Sequence, residues 1–243
     1  MASVSKPGVK AGKTAPAAPK SKYAGTTGTK ATRDANYFSA SRYISLIERV
    51  EEGENQGGAA IIAVNHVVLG TDTSTRDDSG IDSKSGPAKR PGESVSDLFS
   101  KANVSFAANL MAFAITLSGM SQDEIREAEL AVDEETGAPG YDGKFIEEIV
   151  GDEQPFAGKV VEINVKVVAT KAAKASGKPL MEIPMGKDGL FTKVSYVRVI
   201  PFAEVKQMIE DGEIDAKIAA RYLSDLDEKI AAEAAQGEEN PAE

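Results

Sequence analysis

Residues 59–69 (AAIIAVNHVVL) leave this sequence few choices of architecture. Apart from Asn65 and His66 every side chain there is apolar, and many are β-branched. Such a run, ended by Gly70, describes a strand buried on both faces and hydrogen-bonded on both sides inside a sheet. It is too short to cross a bilayer, which takes about 18 or more apolar residues, and no other stretch comes closer. The rest of the fold has to supply partners for this strand.

Partners are easy to find. Tyr43, Ile44, Leu46, Ile47 and Val50 form a β-leaning run closed by a polar turn at 51–58. Residues 93–99 read as a third short strand, after a Ser, Asp, Gly and Lys-rich loop over 70–92 that is expected to be mobile. In 159–170 (KVVEINVKVVAT), Val161, Ile163, Val165 and Val167 alternate with Glu162, Asn164 and Lys166, the period of a half-buried strand. Residues 191–200 (FTKVSYVRVI) make the fifth. Between strands three and four, Phe106, Leu110, Phe113 and Leu117 recur at helical spacing after a cap at Asn103 or Ser105. Gly119 stops that helix, Ser121 and Glu124 form a capping box for a second through Val132, and a short helix is expected at 145–150. After Pro201 two helices are expected, the first ending at Gly212. The second carries Ile214, Ile218, Tyr222, Leu226 and Ile230 on one stripe.

Of the 243 residues, 41% are hydrophobic and 27% charged, enough for one sizeable folded domain with tails. With no cysteine and His66 as the one histidine, disulfides, thiol catalysis, cysteine-ligated metals and Ser-His-Asp machinery are excluded or improbable. No phosphate-cradling glycine loop is present, and the Glu and Asp run of 124–135 lacks the converging oxygens of a divalent-cation site. Neither cofactor nor metal is expected, and the chain does not read as an enzyme.

The net charge of −10 conceals segregation. Residues 1–42 hold eight bases and one acid, and 203–243 hold twelve acids and four bases. Residues 159–198 hold eight bases and three acids. An acidic protein still binds polyanions where its cations share one surface. The expected organisation is a disordered basic arm at 1–36, a folded domain at 37–200, C-terminal helices at 201–235 and an acidic tail at 236–243.

Five strands with helices between the third and fourth is the connectivity of a five-stranded Greek-key barrel of OB type, mainly β with helices. An α+β sandwich with the same element order is the competing fold. Two stretches, PGESVSDLF with SFAANLMAFAITLSGMSQDEI, and FAGKVVEINVKVVATKA with GKP and FTKVSYVRV, resemble the OB-fold single-stranded DNA-binding proteins of bacteriophages over residues 40–200. The resemblance implies a barrel, a role in phage DNA replication or recombination, a host-cytoplasmic location and a flexible acidic C-terminus that recruits replication or recombination proteins. A homo-oligomer is compatible with it.

Sequence-tolerant binding of single strands needs cations tracking phosphates and flat rings on which bases stack. Lys171, Lys174 and Lys178 lie in the loop after strand four, Lys166, Lys193 and Arg198 on its flanking strands, with Phe191 and Tyr196 as stacking rings. Of the two rings Tyr196 is preferred, because it shares parity with Arg198. His66, within an apolar run, reads as a satisfied core side chain. The functional expectation is a protein that coats and protects exposed single-stranded DNA without chemistry of its own. The alternatives are a structural or scaffolding module that binds other proteins, and a nuclease or recombination accessory enzyme.

Overall fold

A computed structural model of the chain describes residues 36–54, 58–77, 80–101, 103, 106–121, 124, 149–186 and 188–239. The basic arm expected at 1–36, apart from Asn36, most of the second and third expected helices and the last four residues lie outside them. Five strands, β1 (Ser41–Glu54), β2 (Ala60–Asp72), β3 (Ser94–Ser100), β4 (Val160–Ala169) and β5 (Leu190–Val199), form one antiparallel sheet in the order β3-β2-β1-β4-β5. The helices are α1 (Phe106–Ser118), α2 (Lys171–Ala175), α3 (Phe202–Glu210), α4 (Ala216–Tyr222) and α5 (Leu226–Glu239).

All five expected strands are present, but the barrel is not. β3 and β5 are the two edges of the sheet, and among the described residues no ladder joins them. The closed Greek-key OB barrel is thereby overturned, and with it the likeness to the OB-fold phage proteins. The physical reason is α1. Its Phe113 ring lies 5.4 Å from Phe99 of β3 and 4.8 Å from Tyr196 of β5. An aromatic wedge therefore fills the space that a β3–β5 ladder would need. The fold is an open α+β sheet with helices on both faces.

Each face has its own core. On one, Tyr43, Ile47, Ile62, Val64, Val95, Val161, Ile163 and Val165 meet Phe106, Leu110, Phe113 and Leu117, the helical spacing read from the sequence. On the other, Ile44, Leu46, Val67, Leu69, Val160 and Ile200 are covered by Val205 and Met208 of α3, by Ile214, and by Ala219 and Leu223. β1 serves both by alternation, Tyr43 and Ile47 against Ile44 and Leu46, and the extra residue Glu48 returns Val50 to the Tyr43 face.

Gly70 does not end its strand. β2 runs on to Asp72, and a Cβ at position 70 would lie 2.2 Å from the carbonyl oxygen of Glu213. The Asp215 amide donates to the Leu69 carbonyl at 3.1 Å, so the glycine lets the C-terminal unit's backbone close onto the sheet. That unit has three helices where two were expected. The stripe from Ile214 to Ile230 breaks at Leu223, whose φ of −128° and ψ of 42° leave the helical region, and α5 starts afresh at Leu226 and reaches Glu239. β1 also extends past Val50, to Glu54.

The segment between β2 and β3 is tied to the sheet at several points. Arg76 donates to the carbonyls of Ala40 and Gly86, both within 2.9 Å. Asp82, buried, accepts from the amides of Asp77 and Val167 at 2.9 Å each. Lys84 donates to the carbonyls of Met181 and Ile183, fastening this segment to the β4–β5 connection.

Candidate nucleic-acid interface

The β4–β5 register orders one face of this hairpin into rows. Val161, Ile163 and Val165 face the α1 core, so Val160, Glu162, Asn164 and Lys166 face the other way. Opposite them on β5 stand Arg198 against Glu162, Ser195 against Asn164, Lys193 against Lys166 and Phe191 against Val168. The Val160 end is covered by the C-terminal helices, and the Lys193 and Phe191 end is open.

Lys166 and Lys193 are thus direct cross-strand neighbours, both exposed, and neither pairs with a described acid. Like charges directly opposite one another cost stability. Phe191, two positions before Lys193 and on its face, leaves 43% of its surface exposed. Lys171, Lys174 and Lys178, all exposed, follow directly on β4. Thr170 caps α2 by accepting from the Ala173 amide at 3.1 Å, while Ala173 is buried with Ile183 and Leu190, so the two lysines of α2 ride on an anchored turn.

The other two sequence candidates are placed differently. Tyr196 turns inward. Its ring packs on Phe113, and its hydroxyl lies 3.0 Å from His66 Nε2. Ser45 Oγ is 3.1 Å from His66 Nδ1. The directions that satisfy every group run from the Ser45 hydroxyl to Nδ1, from Nε2–H to the Tyr196 oxygen, and from the Tyr196 hydroxyl to Asp97. Burial holds His66 neutral, with its pKa lowered to about 3, and raises Asp97 to about 6. Burial and the neighbouring Asp97 push Tyr196 well above the usual phenol range. The lone histidine is a satisfied core side chain, as its setting in the sequence implies. Contrary to the expectation from sequence, Tyr196 does not share the face of Arg198, because the ladder shifts register between Glu162 and Ile163. Val197 is the extra residue, so Tyr196 and Arg198 face opposite sides.

Arg198 faces the same side as the lysines but is occupied. Two of its nitrogens meet Glu204 at 2.6 Å each, and Nε meets Glu162 at 3.0 Å. Glu204 and then Glu162 raise its pKa further. Arg42 completes the cluster, with Nε 2.8 Å from Glu162 and Nη1 3.6 Å from Glu213. Burial works to raise the Glu162 pKa, but the bonds from Arg42 and Arg198 outweigh it and hold the carboxylate below its usual range. Arg42 and Glu204 carry no signal in the sequence, since the place of Arg42 beside Glu162 depends on strand register and that of Glu204 beside Arg198 on the docking of α3.

Among the described residues no cluster of His, Asp or Glu is arranged to hold a metal ion, and no helix is long and apolar enough to cross a membrane. No protein-family model matches this chain, and no curated protein matches it.

Proposed function

We propose that the open face of the β4–β5 hairpin binds single-stranded DNA without regard to sequence, coating and protecting exposed strands. The observation that carries this reading is the pairing of Lys166 with Lys193 across the ladder beside an exposed Phe191. Two unpaired ammonium groups side by side are unfavourable until an anion lies between them, and a phosphate is such an anion. The ring one row away offers a stacking surface, which every base accepts at ~1–3 kcal/mol. Lys171, Lys174 and Lys178 extend the positive potential past the strand end. The reading stands on this surface and not on the fold.

Fluorescence anisotropy of labelled oligothymidine tests it. Binding should weaken steeply as salt rises, with a slope of about −0.7 per neutralised phosphate. Lys166→Ala with Lys193→Ala should weaken binding by roughly tenfold or more and flatten that slope. Equal affinity of the double variant and the parent, or binding indifferent to salt, would remove the proposal.

A further inference from the structure

The rows on this face continue past the open end. About 13 Å along β4 from Lys166, four residues at ~3.3 Å each, lies Glu162 with Arg198 opposite. The Arg198 guanidinium faces the side that the lysines face, but a carboxylate already holds it in the two-pronged geometry that a phosphate would use. That carboxylate is Glu204, in the first turn of α3, the first helix of the acidic C-terminal unit. Side chains of Glu204 and Arg198 are both about two-fifths exposed, so the pair sits at the rim of the covered end and is open to competition.

We propose that Arg198 is a further phosphate position of the strand-binding face, kept closed by Glu204 acting as a phosphate mimic. This rests on the reading of the open end as a single-strand site. A strand long enough to run from Phe191 past Ser195 displaces Glu204 from Arg198, and a strand engaging only Phe191, Lys166 and Lys193 leaves the pair intact. Weak, short-range anion contacts are thereby kept out of half the face, and long exposed strands gain an added contact. Glu162 stays with Arg42 and Arg198 throughout, so opening costs one carboxylate contact and not the whole cluster.

The test is the binding of oligothymidines of about four and about fifteen nucleotides, lengths at the two ends of common single-strand site sizes. Glu204→Gln should tighten the long oligonucleotide by roughly 3- to 10-fold and steepen its salt slope by about 0.7, leaving the short one unchanged. Glu204→Asp keeps the charge and the helix-start preference but shortens the reach, and should give a smaller gain in the same direction. In an Arg198→Gln background the gain should vanish. The inference is overturned by unchanged affinity for the long strand, by equal gains for both lengths, or by a gain that survives loss of Arg198. If the parent protein binds neither length, the reading of the open end fails, and this inference with it.

Discussion

The two ends of the outer β4–β5 face use the same residue types to opposite effect. At the covered end Arg42 and Arg198 flank Glu162, and Glu204 and Glu213 close the cluster from the C-terminal unit. At the open end Lys166 and Lys193 face each other with no described acid between them. Compensated cations there fasten a helical unit onto a sheet. Uncompensated ones a few residues away add nothing to the fold, and their cost is accounted for if a partner supplies the missing anion. A carboxylate's setting decides in the same way whether it stays ionised. Glu162 between two arginines is held below its usual range, whereas Asp97, bonded to Tyr196 and short of cations, is pushed up to about 6.

The largest expected effect comes from breaking the covered end. Glu162→Gln leaves two arginines facing each other around a side chain only 13% exposed. It should cost about 2–4 kcal/mol in urea unfolding. An unchanged midpoint would show that the cluster is ornamental. The contrast between the two carboxyls has a sign. Asp97 has a folded pKa above its unfolded value, so the folded state holds the proton more tightly and stability falls as pH rises from about 4 to about 6. The shift corresponds to about 2–3 kcal/mol. Relative to the parent, Asp97→Asn should lack this decline, as thermal melts across that window will record. His66 acts oppositely, since its depressed folded pKa removes stability as pH falls from about 6.5 toward 3.

At the open end Phe191→Ala should cost binding of oligothymidine about 1–2 kcal/mol, with little change in melting temperature because the ring is exposed. Loss of stability without loss of binding would reassign Phe191 to the fold. The smallest effect is the most pointed. Lys193→Glu converts a like-charge pair into an opposite-charge pair. It should raise stability by about 0.5 kcal/mol while weakening binding, two changes of opposite sign from one substitution.

Strand identities were legible because each strand writes its burial locally: continuous for 59–69, alternating for 159–170. Closure was not, because whether β3 and β5 pair depends on where Phe113 of a separate helix inserts its ring. The site was half legible. Lys166, Lys193 and Phe191 share a face by simple alternation, and the structure keeps them together. Tyr196 is not found beside them because the single extra residue Val197 puts it on the opposite side from Arg198, and a bulge without a glycine leaves no mark in sequence. The break at Leu223 was hidden for a similar reason. The apolar stripe continues across it, so periodicity alone sees one helix where the backbone makes two.

Photocrosslinking shows whether a bound strand lies against Phe191. The 243-residue chain, bound to an oligonucleotide carrying a photoreactive uridine analogue, is irradiated and the adduct mapped by mass spectrometry. Adducts on Phe191, in the segment 190–193, are the predicted result, weakened by Lys166→Ala and by competing salt. Adducts confined to the basic residues before position 36, or to the α1 face of the sheet, would contradict the account.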